Sequence, residues 1–377
     1  MSIYLDWNAT TPLRQSALDA WVRTQTNDWG NASSIHTYGQ SSRHHWDAAK
    51  ARVAQHLGCR ASSVVFTASG TEANNLAIHS ACVEKPAGKI LASAIDHSSI
   101  LRPAAAQTTH QFITLHVNED GQIIDEMLAS SLDESVHLVC LQYANNELGT
   151  RQNIPQLVSI IRERAPQALI HCDACQGGGK SFIHAQDLGV DFLSISAHKF
   201  GGPKGVGALL FLRPGPIPSP LIHGGQQQQD RRSGSEDVAG AAALAAALEE
   251  AHDDLEHECR RQEQLLEACF TLIQNALPEA RWIGHHAPRM SNTLSLAHPG
   301  LKSDPLVMRL DMAGIAVSRG SACMAARKEP SHVIRSLGIS EELASSVIRV
   351  SIGHTTTAEE CEQFASAYVE TAKAMIK

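Results

Sequence analysis

The sequence predicts an α/β protein with a large domain built on a mostly parallel, doubly wound sheet and a smaller α+β domain at the C-terminal end. Three observations predict it. Short β-branched runs alternate with helical stretches between about residue 63 and residue 212. The run Ser63-Val-Val-Phe-Thr67 passes at once into Ala68-Ser-Gly-Thr-Glu-Ala-Asn-Asn75 and an apolar helical pattern, giving strand, tight turn and helix in succession. Beyond Pro278 the strand-like runs shorten and mix with helices.

In chain order, Leu13 to Thr26 and Gln40 to Leu57 read as helices, with a loop rich in Gly, Asn and Ser between them. After the strand at Ser63–Thr67 and the helix that follows, further strands read at Lys89–Ser93, Gln111–His116, His137–Gln142 and Ala168–Asp173, with a helix at Ile154–Arg164. Asp191–Ser196 and Val206–Leu212 read as two more strands, and the glycine-rich turn between them carries Lys199. Residues 236–277 are Ala-rich, then charged and amphipathic, and lack Pro and Gly after Gly240; they read as long helices leading from one domain to the next. Short strands at Arg281–Gly284, Asn292–Ala297 and Val347–Ile352 then mix with helices at Asp304–Ala313, Pro330–Leu337 and Thr357–Ile376. The expected division is a large domain over residues 13–255 and a small one over residues 256–377 together with residues 1–12.

Composition narrows the function. A chain of 377 residues can bury a large core. Its net charge of −8 and the lack of a long basic run argue against nucleic-acid binding. No basic head leads into an apolar run at the N-terminus, and no stretch offers the ~18 uninterrupted apolar residues of a membrane span, so a cytoplasmic protein is expected. Nine cysteines scattered along the chain suit a reducing compartment better than a disulfide framework.

Lys199 sits where a strand gives out into glycines, and ligand sites of open α/β sheets lie at such strand ends. A lysine among small and apolar neighbours can act as an amine nucleophile; a solvated loop lysine is the plain alternative. The Ser69-Gly-Thr71 turn opens a helix, so its N–H groups and the Thr71 hydroxyl can cradle a phosphate, or it is an ordinary N-cap. Asp173 ends another strand, where a carboxylate is costly unless it meets a cation. The Cys172-Asp-Ala-Cys175 spacing suggests zinc or a redox pair only weakly, because no second cysteine pair lies nearby and no metal is expected. His97 and Asn145 also follow strands. A phosphate cradle, a carboxylate for a ring nitrogen, an imidazole to stack and a lysine to form an imine together describe a pyridoxal phosphate site.

The chain resembles the cysteine desulfurases of the class V aminotransferase group, which share the fold-type I architecture of pyridoxal phosphate-dependent transferases. The resemblance runs nearly end to end, through Tyr4-Leu-Asp-Trp-Asn-Ala-Thr-Thr-Pro12, Phe66-Thr-Ala-Ser-Gly-Thr-Glu-Ala-Asn-Asn-Leu-Ala-Ile78, Asn145-Asn-Glu-Leu-Gly149, Asp173-Ala-Cys-Gln176, Ser196-Ala-His-Lys199 and Gly320-Ser-Ala-Cys323. It implies that Lys199 is the Schiff-base lysine, that Asp173 pairs with the pyridinium nitrogen, and that Gln176 and Asn145 bond near the ring oxygen. It implies that His97 stacks on the ring and shuttles protons. Phosphate contacts would come from Gly70, Thr71, Ser196 and His198, with Ser235 reaching across a homodimer interface. Cys323, in a loop over about residues 318–330, would be the thiolate that receives sulfur, and Arg319, Arg327 and Lys328 favour that ionised form. Arg349, in an otherwise apolar strand, would bind the carboxylate of L-cysteine, with Asn145 beside it; a structural ion pair is the competing account.

The implied activity is removal of sulfur from L-cysteine to give L-alanine and a Cys323 persulfide. The persulfide would pass to an acceptor protein for iron–sulfur assembly, tRNA thiolation or DNA phosphorothioation. A selenocysteine lyase or other class V enzyme is the alternative, and a non-catalytic sulfur-trafficking protein a further one. The chain departs from the family pattern at Gly224-Gly-Gln-Gln-Gln-Gln-Asp230 and at Arg319, beside the Cys323 motif.

Overall fold

The computed structural model of the chain describes residues 2–84, 87–213, 219–320 and 331–376. A two-residue strand β1 (Ile3–Tyr4) precedes helices α1 (Gln15–Asn27) and α2 (Thr37–His56). The alternating region then runs β2 (Val64–Thr67), α3 (Gly70–Glu84), β3 (Gly88–Ser93), α4 (Ser98–Ala105), β4 (His110–Leu115), α5 (Asp125–Ser131), β5 (Val136–Gln142), α6 (Ile154–Arg164), β6 (Leu169–Asp173), β7 (Phe192–Ser196) and β8 (Gly207–Phe211). Two helices follow, α7 (Val238–Asp253) and α8 (Leu255–Ala276). The remainder is β9 (Arg281–Trp282), β10 (Thr293–Ala297), α9 (Ser303–Met312), β11 (Ile315–Ala316), α10 (His332–Arg335), α11 (Glu341–Ala344), β12 (Ile348–Ser351) and α12 (Ala358–Ile376).

The central sheet has the order β2-β8-β7-β6-β5-β3-β4. From β4 through β3, β5 and β6 to β7 every pairing is parallel. Their burial on both faces explains the near-continuous apolar runs; every residue of β5 and β7 is buried. β8 runs antiparallel to both its neighbours. The link from β7 to β8, residues 197–206, is shorter than the dozen or so residues a parallel crossover needs, so the chain turns straight back. Antiparallel β8 leaves β2 parallel to β7, and the carboxyl ends of β2, β3, β5, β6 and β7 share one rim.

The alanine-rich α7 packs against α1 and α2 and is buried along most of its length, because small side chains let the three helices approach closely. It belongs to the main apolar core, together with Val53, Leu141, Ile170 and Ile195. Past Asp254 the chain changes company. α8 packs against α12 in a second core with Leu294, Ile348, Val350 and Phe364. Ile3 and Leu5 join that second core through the parallel β1–β11 pair, and β9, β10 and β12 form its antiparallel sheet. Among the described residues, no helix is long and apolar enough to cross a membrane.

The segment after β1 is clamped against the turn after β12. Trp7 is buried and stacks edge-on with His354, and a Cβ placed on Gly353 would lie 2.0 Å from the Trp7 ring. Gly353→Ala is therefore expected to force Trp7 out of its seat and to lower the unfolding free energy by about 1–3 kcal/mol, measured by urea denaturation; an unchanged midpoint would show that this contact is not tight.

Candidate active site

The strand ends on the shared rim open into a cavity of about 260 Å³. Gly70, Thr71, His97, Asp173, Gln176, Ser196, His198, Lys199 and Arg349 all line it. Nine of the residues expected from the sequence are thus brought together from five segments of the chain.

Lys199 ends a single 3₁₀ turn, Ala197–Lys199, that begins the reversal from β7 to β8. Its ammonium donates to the backbone carbonyls of Asn8, at 2.6 Å, and Ala9, at 2.9 Å. Burial, helped by the nearby Arg349 guanidinium, pushes it down from the ordinary 10.5 to about 8. An amine so poised loses its proton close to neutral pH.

Asp173 is fixed at the end of β6 by two donors. Its Oδ1 accepts from the Cys175 N–H at 3.0 Å, and its Oδ2 from Asn74 Nδ2 at 2.8 Å. The same Asn74 amide donates to Ser99 Oγ at 2.9 Å, which in turn lies 2.8 Å from His97 Nδ1. His97 also caps α4, its Nδ1 accepting from the Ser99 N–H at 3.1 Å. That bond puts the proton of the neutral ring on Nε2. Burial lowers the His97 pKa below its ordinary 6.5, so the ring is neutral at neutral pH. Asn74 and Ser99 were not singled out in the sequence. The available signal for Asn74 was an amide one turn into an inward-facing helix stretch that is otherwise small and apolar.

The opposite end of the cavity is built for close approach. Ser69 Oγ accepts from the Glu72 N–H at 3.1 Å and so caps α3. A Cβ on Gly70 would lie 2.4 Å from Cys175 Sγ and 3.1 Å from Ser196 Cβ, so only glycine fits there. The Gly70 N–H points at Ser196 Oγ, 3.4 Å away. His198 Nδ1 lies 3.2 Å from Thr10 Oγ1, and burial together with Lys199, Lys180 and Lys204 pushes its imidazole down to about 4.

Three expected residues stand differently. Asn145 is buried beside the cavity, but its side chain holds the loop after β5 in shape: Nδ2 donates to the Ile95 carbonyl and Gln142 Oε1, and Oδ1 accepts from the Glu147 and Leu148 N–H groups. The next residue, Asn146, lines the cavity instead. Ser235 is exposed and lies outside the lining of this cavity. Cys323 lies outside the described residues, as does most of the loop expected at 318–330. Arg349 is nearly fully buried and satisfies part of each account: Nη2 pairs with Asp6 Oδ1 at 2.5 Å and Nη1 donates to the Asn146 carbonyl at 3.0 Å, while among the described residues Nε has no partner.

Because burial lowers the Lys199 pKa, the unfolded chain binds that proton more readily between about 8 and 10.5. The cost of burying the ammonium is fully present below about pH 8 and is relieved as pH rises through that window. Lys199→Met in protein prepared without cofactor is expected to raise the unfolding temperature at neutral pH, with the gain shrinking above about pH 8. A gain independent of pH would place its origin elsewhere.

The family model described as aminotransferase class-V matches residues 3–364. A cysteine desulfurase IscS from Dictyoglomus turgidum is 35% identical over 362 residues, spanning 95% of this chain and 91% of its own. A solved structure of a NifS-like protein superposes with a TM-score of 0.91 at 31% identity, covering 99% of this chain and 100% of the other. A second, of SspA in complex with cysteine, superposes with a TM-score of 0.82 at 27% identity, covering 93% of this chain and 99% of that one. The residue motifs, the rim-borne cavity and these matches agree: the chain belongs to the aminotransferase class-V family, in its cysteine desulfurase group, whose cofactor is pyridoxal phosphate.

Proposed function

We propose that the chain removes sulfur from L-cysteine, releasing L-alanine and leaving a persulfide on Cys323. The observation that carries this reading is the convergence of Lys199, Asp173, Arg349 and the Gly70 turn on one cavity. The residues present fit the cofactor: a turn open only to a glycine meets a phosphate, a doubly anchored carboxylate meets a protonated ring nitrogen, and a lysine of lowered pKa meets an aldehyde. In this reading Gly70, Thr71, Ser196 and His198 hold the phosphate, Asp173 holds the ring nitrogen, and His97 offers a stacking face.

Pyridoxal phosphate, when bound, supplies an aldehyde that condenses with amines and a ring that takes up the electron pair left at a substrate carbon. Lys199 would be the amine that holds it and, as a free amine of lowered pKa, the base that takes the substrate's α-proton. Arg349 lines the cavity and would grip the substrate carboxylate, since its buried Nε has no partner among the described residues and Nη2 keeps a second N–H beside the one given to Asp6. Asn145 shapes the loop that brings Asn146 to the same end. His97, proton on Nε2, passes protons at the substrate. The Cys323 thiolate attacks the substrate sulfur; a sulfur–sulfur bond forms as the carbon–sulfur bond breaks, and the released electron pair stays on the substrate carbon, which takes up a proton to become the methyl of alanine. A sulfur-acceptor protein, in iron–sulfur assembly, tRNA thiolation or DNA phosphorothioation, then takes the persulfide sulfur.

The functional unit in this reading is a cytoplasmic homodimer. Exposed Ser235, outside the lining of its own cavity, suits a residue that serves the phosphate of a partner subunit's site. Residues 13–255 form the cofactor-binding domain in this reading, and residues 256–377 with 1–12 the domain that carries Cys323; the second core, which lies wholly within the latter, supports this division, although the main core also takes in Ile283, Met290, Val333 and Val347.

Alanine release from L-cysteine is expected to fall by at least about a thousandfold in Lys199→Ala, with loss of the visible absorbance of the bound cofactor. Cys323→Ala should keep that absorbance but lose cysteine turnover. Full turnover in Cys323→Ala would overturn the persulfide route, and turnover confined to selenocysteine would favour a selenocysteine lyase.

A further inference from the structure

A second lysine lies beneath the cavity and has no part in the chemistry above. Lys180 follows the glycine run after Gln176 and is half-buried. It donates to Gln176 Oε1 at 3.0 Å and to Asn8 Oδ1 at 3.1 Å, and among the described residues no carboxylate pairs with it. Burial, helped by the facing cations Lys199 and Arg349, pushes its pKa well below the ordinary range. Lys199 is faced in turn by Arg349, Cys175, Asp173 and Asp6.

An ammonium has donors and no acceptor, so each side-chain atom it touches on Gln176 and Asn8 must be the oxygen of its amide. Even as a free amine Lys180 keeps two N–H groups, one for each oxygen. The amide of Gln176 is therefore set with Oε1 toward Lys180 and Nε2 on its other side. One Nε2 hydrogen goes to the Asn8 carbonyl at 3.0 Å. The second is left for the cavity that Gln176 lines. Asn8 is set by the same contact: with Oδ1 engaged, its Nδ2 donates to the Asn146 carbonyl at 3.2 Å and to Thr293 Oγ1 at 2.8 Å. The Asn8 carbonyl in turn receives Lys199.

We propose that Lys180 is a positioning residue that fixes the amide orientation of Gln176, so that the cofactor's ring oxygen meets an N–H group instead of a carbonyl oxygen. The proposal rests on the reading above that Gln176 lies against that oxygen. Without Lys180 the amide keeps only the Nε2 bond to the Asn8 carbonyl, and where it turns over, two oxygens face each other in place of a donor and an acceptor. The proton held between Lys199 and the bound cofactor responds, since losing a donor to the neighbouring oxygen leaves more negative charge beside it and makes it harder to remove.

The test is a double-mutant cycle on the cofactor-loaded enzyme, read as the pH midpoint of its visible absorbance. Lys180→Met is expected to raise the midpoint by roughly one pH unit, the equivalent of one hydrogen bond. Gln176→Ala should raise it similarly, and Lys180→Met added to Gln176→Ala should move it no further. Gln176→Glu leaves Lys180 in place but puts an oxygen on both sides, and it should reproduce the rise even if Lys180→Met folds poorly. A midpoint shift from Lys180→Met that persists in the Gln176→Ala background overturns the proposal in favour of simple charge repulsion. A wild-type midpoint in Lys180→Met, or in Gln176→Glu, overturns it as well, provided Gln176→Ala moves the midpoint. A Gln176→Ala enzyme with an unmoved midpoint instead removes the underlying reading of Gln176, and the proposal with it.

Discussion

Parallel pairing obliges neighbouring strands to end on the same side, and the site depends on that obligation. The ends of β3, β5, β6 and β7 deliver His97, the Asn145–Asn146 loop, Asp173 and Lys199 to one rim, although these residues are far apart in sequence. The reversal into β8 serves the same end. By turning back at once instead of crossing over, the chain keeps Lys199 at the rim and leaves β2 to bring the Gly70 turn alongside. Helices on the faces bury the sheet and leave its ends as the place where polar groups gather.

The cavity gathers cations more readily than anions. Beyond the effect of burial, Arg349 lowers the proton affinity of Lys199, Lys199 and Arg349 lower that of Lys180 beneath the cavity, and Asp173 and Asp6 are the carboxylates that answer them. Buried like charges are costly in the folded chain, and an incoming phosphate and carboxylate relieve part of that cost. The same arrangement that lowers the pKa of Lys199 therefore favours anionic ligands. Neutral imidazoles at His97 and His198 add hydrogen-bonding atoms without adding to the repulsion.

Residues whose position follows from local pattern were legible in the sequence. Lys199, Asp173 and the Gly70 turn each follow a recognisable strand, so strand ends alone grouped them. What local pattern does not carry is direction within a turn. Asn145 and Asn146 are adjacent and alike, but the backbone folds the first side chain into its own loop and leaves the second to the cavity. Long-range partners were equally hidden. Asn8 meets Asn292 and Thr293 from the other end of the chain, and Lys180 acquires its meaning only once Asn8 stands beside it. The short pair β1–β11 has too few residues to show a period, and Pro103 inside α4 disguised that helix.

Asn8 also imposes an order of events during synthesis. It leaves the ribosome well before Thr293 and Ser351, which its amide groups require and which come from β10 and β12. The main core can gather around the sheet while translation continues, since most of its strands are already made. The ledge of carbonyls that receives Lys199 cannot settle until the second core arrives. A nascent chain thus carries Lys199 without the fittings that orient it, and the site matures only after β10 and β12 have been made.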